Sequence, residues 1–208
     1  EDEIAGVLLP FGKFDTVKIK VAEQGEALVD DLARVFATNK LFPGQKIRLD
    51  ANGGYSVKQA LELLHKLDGL PIEYFEQPVE TVEQLVELKS SMLAMGLNVK
   101  IAADESIRKA NDPMLVAASG AADIAVLKVQ PLGGISSALE MSKQMALEPV
   151  VSSALETSLG ISQGLFLASL LPSLDYACGL GTGSLLAADI AKNPLIPVNG
   201  FLEVQEIE

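Results

Sequence analysis

Short apolar runs and longer amphipathic segments alternate from one end of this 208-residue chain to the other. The runs are rich in β-branched residues, which is typical of buried strands, whereas the longer segments repeat their apolar residues at helical spacing. The pattern predicts seven strands, at residues 16–21, 46–51, 72–76, 98–104, 123–129, 149–153 and 174–178. It predicts helices near residues 25–37, 56–67, 81–94, 111–118, 134–146 and 157–171, and the end of a further helix at 4–9.

This alternation predicts an α/β fold with parallel strands, and seven strands behind a leading helix indicate a (β/α)8 TIM-type barrel that lacks its first strand. Complete barrels of this type have about 250 residues, and a barrel without one strand leaves two unpaired edges. We therefore expect this chain to be the carboxyl-terminal part of a longer protein. Residues 1–192 would form the incomplete barrel, and residues 193–208 a tail that packs outside it.

Composition narrows the range of functions. The net charge of −12 argues against binding to nucleic acid or to an anionic membrane surface, since both require clustered Lys and Arg. No apolar run approaches the roughly 18 residues of a membrane span, so we expect a soluble, cytoplasmic protein. Cys178 is the single cysteine and His65 the single histidine, which excludes an intrachain disulfide and a multi-histidine zinc site.

Three acidic residues, Asp50, Glu76 and Asp104, each close one of the predicted strands, at intervals of 26 and 28 residues. Such an interval fits one strand and one helix with their loops, so the three carboxylates are expected at the same carboxyl edge, where ligands bind in parallel α/β folds. At separations of about 4 Å they would repel by roughly 4 kcal/mol per pair at an effective dielectric near 20. A cation is needed to hold them together, and an all-oxygen site favours Mg²⁺.

Three lysines lie beside this acidic set in the predicted order of strands. Lys18 and Lys20 alternate with β-branched residues, so both point to one face of their strand. Lys128 ends the strand that follows Asp104. Because lysine is rarely buried unless it is paired, inward lysines around carboxylates indicate chemistry. For Lys18, a salt bridge at the rim of the site is an equally good interpretation.

Four polar residues are candidates for substrate binding, each with a structural alternative. Arg48 shares the inward face with Asp50 and Asn52, so it either orients a ligand carboxylate or pairs with the acidic residues, and we favour the second. Asn52 is expected to support the residues around it. Ser152 and Ser153 either bind a carboxylate through hydroxyl and backbone N–H groups or cap the following helix.

Five motifs occur in a fixed order at the spacing of βα units. They are Lys18-Ile19-Lys20, Asp50-Ala51-Asn52, Glu76-Gln77-Pro78, Ala103-Asp104-Glu105-Ser106 and Lys128-Val129-Gln130-Pro131. Together they resemble the enolase superfamily, specifically the branch of muconate-lactonizing enzymes and o-succinylbenzoate synthases. The residues around the motifs, such as the run 151–158, are most similar to the actinobacterial o-succinylbenzoate synthases. The similarity covers essentially the whole chain, which departs from the family in lacking the first barrel strand and the α+β capping domain.

The resemblance implies a reaction of menaquinone biosynthesis. In it, 2-succinyl-6-hydroxy-2,4-cyclohexadiene-1-carboxylate loses water to become o-succinylbenzoate. It implies Mg²⁺, with Mn²⁺ as a substitute, on Asp50, Glu76 and Asp104, where the ion would bind the substrate carboxylate and stabilise an enediolate. By the same resemblance Lys20 is the base. Lys18 would lower the pKa of Lys20 by like-charge repulsion, and Lys128 would stabilise the intermediate from the opposite side.

Two other functions remain open from the sequence. An N-acylamino acid racemase or dipeptide epimerase would use Lys20 and Lys128 as bases on opposite faces of the substrate, and the capping domain is expected to decide between substrates. A non-catalytic barrel would bind metal for structure alone. The lysines argue against this last possibility, because a structural metal site needs neither of them.

Overall fold

A computed structural model describes residues 2–203 as two compact units. The first unit contains residues 2–10 and 14–123, and the second contains residues 11–13 and 124–203. Among the helices of this described range, none is both long enough and apolar enough to cross a membrane.

The first unit consists of four βα repeats behind a short helix. Its elements are α1 (Asp2–Leu8), β1 (Thr16–Lys20), α2 (Leu28–Leu41), β2 (Lys46–Asp50), α3 (Val57–Lys66), β3 (Ile72–Glu76), α4 (Val82–Ala94), β4 (Lys100–Ala103), α5 (Glu105–Arg108) and α6 (Met114–Ala118). The four strands pair in parallel in chain order. A 3₁₀ helix, Leu9–Phe11, follows α1.

Alternation along β1 separates its apolar residues from its lysines. Val17, Ile19 and Val21 are buried, whereas Lys18 and Lys20 lie on the other face, as the period of two predicts. Two of the helices, α3 and α4, begin with side-chain caps. In α3, the Ser56 hydroxyl accepts the backbone N–H of Gln59, and the Gln59 side chain accepts that of Ser56. Thr81 and Gln84 make the same reciprocal pair at the start of α4.

The second unit contains two further βα repeats. Its elements are β5 (Ile124–Leu127), α7 (Ile135–Met145), β6 (Glu148–Val151), α8 (Ser158–Leu170) and a 3₁₀ helix, Gly181–Leu185. β5 and β6 pair in parallel from Ile124 opposite Glu148 to Leu127 opposite Val151. All four residues of β5 are buried, which agrees with its continuous apolar sequence.

Six of the seven predicted strands are confirmed, and the strand at 174–178 is wrong. Only Gly179 aligns with β6, through one parallel bridge to Ser152. The residues before it include Pro172, Ser173 and Asp175, which have low β-propensity, and the Tyr176 hydroxyl donates to Glu148.

Among the helices, α2 begins and ends later than the predicted 25–37, and the helix predicted at 111–118 is confirmed only from Met114, after Pro113. The one-turn helix α5 was not predicted.

The carboxyl-terminal tail is described as far as residue 203, and residues 204–208 of the predicted tail lie outside the described residues. Within the second unit the tail is bound to the start of α8. The backbone N–H of Leu195 donates to the Ser158 hydroxyl at 2.8 Å, and Asp189 accepts both the backbone N–H and the hydroxyl of Ser158 at 2.8 Å. The division at residue 192 and the packing of the tail outside a barrel stay predictions.

Candidate active site

The site in the first unit is formed where its strands end together. Lys20, Asp50 and Glu76 are Cα partners across β1, β2 and β3, so their side chains leave the sheet on one face. Glu76 is in turn aligned with Ala102 of β4, and Asp104 lies two residues beyond it. The charges of Asp50 and Asp104 both act on Glu76. The predicted convergence of the three acidic residues is therefore present within this unit.

The three carboxylates are almost completely removed from solvent. The exposed fraction is 1% for Asp50, 1% for Glu76 and 0% for Asp104. A buried carboxylate needs a compensating positive charge, because burial strongly disfavours its ionised form. Lysine and arginine side chains of the same unit supply that charge.

Lys18 bridges two of the carboxylates. Its Nζ lies 2.8 Å from Asp50 Oδ2 and 3.0 Å from Glu76 Oε1. Burial alone would lower the pKa of Lys18, but the charges of Glu76 and Asp50 outweigh burial and raise that pKa above its ordinary value. Lys18 is therefore a charged ammonium between two acidic residues, as in the salt-bridge interpretation of the sequence, and its influence on Lys20 stays a prediction.

Lys20 is the more accessible of the two lysines. Its Nζ donates to Asp50 Oδ2 and to Asn52 Oδ1, each at 2.6 Å, and its side chain is 49% exposed. Asn52 also donates from its backbone N–H to Asp50 Oδ1 at 3.1 Å and from its side chain to Glu105 at 3.2 Å. Asn52 thus orients the lysine and its acidic partner, and its contact with substrate stays a prediction.

Arg108 neutralises Asp104 and was missed in the sequence. Its Nε donates to Asp104 Oδ1 at 2.9 Å, and its Nη2 donates to Glu105. The one-turn helix α5 brings these groups together, since residues four apart lie on the same side of a helix. The spacing of Asp104 and Arg108 is the signal that could have identified the pair, had a helix been expected directly after the strand.

The pKa values of Asp50 and Glu76 are shifted in opposite directions. Burial raises the pKa of Asp50, but the ammonium groups of Lys18 and Lys20 outweigh it and hold that pKa below its ordinary value. For Glu76, burial is the largest influence. Lys18 opposes it, the charges of Asp50 and Asp104 add to it, and the pKa of Glu76 rises to about 7. Burial and the neighbouring carboxylates therefore outweigh Lys18 at Glu76, whereas the two lysines prevail at Asp50.

Within residues 2–203, no three acidic, histidine or cysteine side chains are arranged closely enough to coordinate a metal ion. Lys18 lies between Asp50 and Glu76, and Arg108 is bound to Asp104, so cationic side chains contact all three carboxylates. The donor set nevertheless fits a divalent cation, because it consists of three buried carboxylates at one edge of the sheet. Metal ligation by Asp50, Glu76 and Asp104 stays a prediction.

Arg48 lies one pleat before Asp50 and is engaged in an ion pair. Its Nε donates to Glu73 at 2.6 Å, and its guanidinium lies 4.7 Å from the centre of the Tyr74 ring. Lys46 contacts the same Glu73 carboxylate at 2.8 Å. Arg48 is 4% exposed, so it is part of the packed interior beneath the acidic residues. Its contact with substrate stays a prediction.

The remaining predicted site residues belong to the second unit. Lys128 follows β5, is 8% exposed and acts electrostatically on Glu156. Ser152 donates from its backbone to Leu127 at 2.9 Å. The Ser153 hydroxyl contacts Thr182 and accepts the backbone N–H of Leu155 at 3.2 Å. Ser153 thus stabilises the turn before α8, and substrate binding by both serines stays a prediction.

Comparisons with known proteins identify the family of the chain. The family model described as enolase C-terminal domain-like matches residues 6–207. The o-succinylbenzoate synthase of Mycobacterium tuberculosis is 50% identical over 204 residues, which is 97% of this chain and 60% of that protein. The o-succinylbenzoate synthase of Thermobifida fusca is 47% identical over 194 residues, or 93% of this chain and 60% of that protein. The chain therefore spans about 60% of the length of these curated relatives.

Solved structures show the same fold. The muconate lactonizing enzyme from Pseudomonas putida aligns with 99% of this chain and 57% of its own, at a TM-score of 0.83 and 23% identity. At that identity the likeness supports the fold and not the substrate. The predicted fold class, a barrel of the enolase superfamily from which part is absent, is confirmed.

Proposed function

The chain belongs to the enolase C-terminal domain-like family, and on that premise we propose that it is the catalytic part of an enzyme that makes o-succinylbenzoate by dehydration. The observation that carries the proposal is the row of Lys20, Asp50 and Glu76 in register on three neighbouring strands, with Asp104 beside it. An amine and three buried carboxylates at one sheet edge suit removal of a proton next to a substrate carboxylate. Identity of 50% to o-succinylbenzoate synthases supports the choice of substrate.

The proposed chemistry needs one group that accepts and returns a proton. The neutral amine of Lys20 takes the proton from the ring carbon that bears the carboxylate, and the electrons of that C–H bond move into the ring. The resulting ammonium then donates the same proton to the neighbouring hydroxyl, whose C–O bond breaks to release water. The ring becomes aromatic, and Lys20 returns to its neutral form. Lys20 suits this role because it is accessible and is oriented by Asp50 and Asn52.

Enzymes of this family generally use a divalent metal. We propose that Asp50, Glu76 and Asp104 hold Mg²⁺, for which Mn²⁺ can substitute, because the three carboxylates offer only hard oxygen donors. The bound ion would supply positive charge opposite the substrate carboxylate and the negative charge that develops beside it. Lys18 and Arg108 neutralise the same carboxylates within this chain, so both cations would share or release those contacts on loading.

The other residues have supporting roles in the proposal. Lys18 would keep the positive charge near Lys20 high, and Lys128 would stabilise negative charge on the substrate ring. Ser152 and Ser153 would bind the succinyl carboxylate, and Arg48, whose Nε donates to Glu73, would contact the substrate. The capping domain of the longer protein is expected to complete the substrate pocket. We also propose a cytoplasmic location, which fractionation of cells that express the longer protein would test.

The test is incubation of the full-length protein with the cyclohexadiene substrate and Mg²⁺, with ultraviolet detection of the aromatic product. We expect product formation well above the spontaneous rate and no such increase with Lys20→Ala. Efficient racemisation of N-acylamino acids without aromatic product would instead support the racemase or epimerase function.

A further inference from the structure

We infer that Asp31 and Arg34 of α2 are positioning residues for Lys20, an inference that rests on the proposed role of Lys20 as the proton-transfer group. Neither residue reaches the acidic set. Both bind the backbone that carries Lys20 and the turn directly after it.

The first step of the argument is the backbone on either side of Val21. Arg34 Nη1 donates to the backbone carbonyl of Lys20 at 2.7 Å, and Asp31 Oδ2 accepts the backbone N–H of Ala22 at 3.1 Å. Ala22 has φ of 61°, a left-handed conformation that L-residues rarely adopt and that persists only where the surroundings hold it. α2 therefore fixes both the end of β1 and the strained turn that follows.

Asp31 and Arg34 also hold each other. Arg34 Nη1 lies 3.0 Å from Asp31 Oδ1, and its Nη2 donates to Glu26 in the loop before α2. The guanidinium is therefore fixed from two sides while it binds the Lys20 carbonyl. Asp31 is 1% exposed, although its position near the start of a helix would ordinarily be solvated. An acidic residue buried to this extent is a costly feature unless its contacts are needed.

The same carboxylate reaches the second loop of the site. The Tyr55 hydroxyl donates to Asp31 Oδ2, and Tyr55 lies in the loop that follows Asp50 and Asn52. A Cβ added at Gly54 would lie 2.9 Å from the Cβ of Ala22, so the loops after β1 and β2 are packed directly against each other. One buried carboxylate thus sets the position of Lys20 relative to the two residues that orient its amine.

Removing this carboxylate should let the end of β1 move relative to β2. Asp31→Asn keeps the shape of the side chain. Its NH₂ group must, however, point at one of the three groups that donate to Asp31, and the neutral amide cannot balance the charge of Arg34. The amine of Lys20 would then lose its fixed placement, which is what proton transfer needs, while the substrate-binding groups stay in place. A displacement near 1 Å is enough to lower a rate about 100-fold.

The first measurement is steady-state dehydration by the full-length protein with Mg²⁺. We expect Asp31→Asn to lower kcat at least 20-fold while KM changes less than threefold. Arg34→Met should lower kcat at least fivefold, and Arg34→Lys, which retains a donor for the Lys20 carbonyl, should recover most of that loss. Arg34 is partly exposed, so these two variants test the inference even where Asp31→Asn does not fold.

Asp123→Asn is the matched control. Like Asp31, Asp123 accepts a backbone N–H, that of Ile101 at 2.9 Å, and binds a cation, Lys89 at 2.7 Å. Asp123 lies, however, at the amino end of the strands. A purely structural role for Asp31 predicts that both variants lose thermal stability and keep kcat. We expect both to be less stable and only Asp31→Asn to lose kcat.

A double-mutant comparison identifies the residue through which Asp31 acts. In the Lys20→Ala background, with a small primary amine added to restore measurable turnover, the proton-transfer group is no longer attached to β1. Asp31→Asn should then cost less than twofold. An equal loss in both backgrounds, or no loss of kcat in the wild-type background, overturns the inference.

A second readout does not depend on substrate. Reductive methylation of the metal-free protein, followed by mass spectrometry, gives the rate at Lys20 relative to the exposed Lys58 of α3. We expect that ratio to rise at least fivefold with Asp31→Asn and to stay unchanged with Asp123→Asn. If the wild-type protein forms no aromatic product, the proposed function is wrong. The methylation ratio then tests the positioning role by itself, and a ratio that Asp31→Asn leaves unchanged overturns it.

Discussion

At the scale of single residues, two lysines one pleat apart on β1 have different surroundings. Lys18 binds two buried carboxylates, whereas Lys20 binds one carboxylate and an amide and has half of its side chain exposed. An ammonium shared between two acidic residues is poorly suited to give up its proton. We therefore propose Lys20, the more exposed of the two lysines, as the base.

We predict that Lys20→Ala abolishes dehydration and leaves Mg²⁺ affinity within about threefold of wild type. The amine transfers the proton but does not ligate the ion, so binding and chemistry should separate. Calorimetric titration of Mg²⁺ and product formation, measured on the same preparation, check this. Substantial turnover by the variant would remove Lys20 from the role of base.

Asp104→Asn should instead weaken metal binding and activity together, each by at least tenfold. The substitution removes a full negative charge from the three buried carboxylates that we propose as ligands, and it leaves Arg108 with Glu105 as its remaining acidic partner. The same two measurements apply. Wild-type metal affinity in this variant would mean that Asp104 is not a ligand.

Lys128 separates the two chemistries that the sequence left open. In dehydration it supplies positive charge without transferring a proton, so Lys128→Arg should keep part of the activity if the larger guanidinium fits. In racemisation a titrating amine is needed on both faces, and arginine cannot supply one. We expect any racemase side activity of the full-length enzyme to fall further than dehydration. An equal loss of both activities would contradict this assignment.

The residues that sequence reasoning identified are those whose chemistry is unusual at a strand end. Asp50, Glu76 and Lys20 could be predicted because strand spacing and alternation place them at one edge. Asp31 could not, since a charged residue on a surface helix is ordinarily solvated and its role follows from a tertiary contact with Ala22. Arg108 was missed for a different reason, because its four-residue spacing from Asp104 has meaning only if a helix begins directly after β4.

At the scale of elements, side-chain caps mark the starts of α3 and α4. Local pattern predicted α3 and α4 well because both carry an amino-terminal cap and an apolar stripe. It failed at residues 174–178, where Pro172, Ser173 and Asp175 lower the β-propensity and the bridge nearby joins Gly179 to Ser152. It also failed at α5, where one turn of helix is too short to show a period.

The cap of α4 gives a prediction about stability. Thr81→Ala removes the acceptor for the backbone N–H of Gln84 and should cost about 1 kcal/mol of unfolding free energy. Ser90→Ala in the same helix is the control, because the Ser90 hydroxyl only bonds back to the carbonyl of Val86 and its loss should change stability by less than about 0.5 kcal/mol. Urea unfolding of the full-length protein measures both. Equal midpoints for the two variants would contradict the role of the cap.

At the scale of the whole molecule, the chain repeats one βα unit and places one functional group at the end of each of several strands. This arrangement concentrates negative charge, since the net charge is −12 and three of the acidic residues are buried in one place. The folded protein is therefore expected to be stabilised by a cation that binds the native state in preference to the unfolded chain. Folding and cofactor loading should be linked.

We predict that removing divalent metal from the full-length protein with a chelator abolishes dehydration and lowers Tm, and that excess Mg²⁺ restores both. A ligand that binds only the native state stabilises it by about 2.7 kcal/mol at 100 times its Kd, which is several degrees of Tm for a protein of this size. Differential scanning calorimetry across a Mg²⁺ series measures the shift. Asp104→Asn is the matched control, because it should unfold at a Tm that depends much less on Mg²⁺ if the buried carboxylates are the site of linkage. An Mg²⁺-dependent shift of equal size in this variant would locate the ion elsewhere, and Lys18 and Arg108 would then be the permanent counter-charges of the acidic residues.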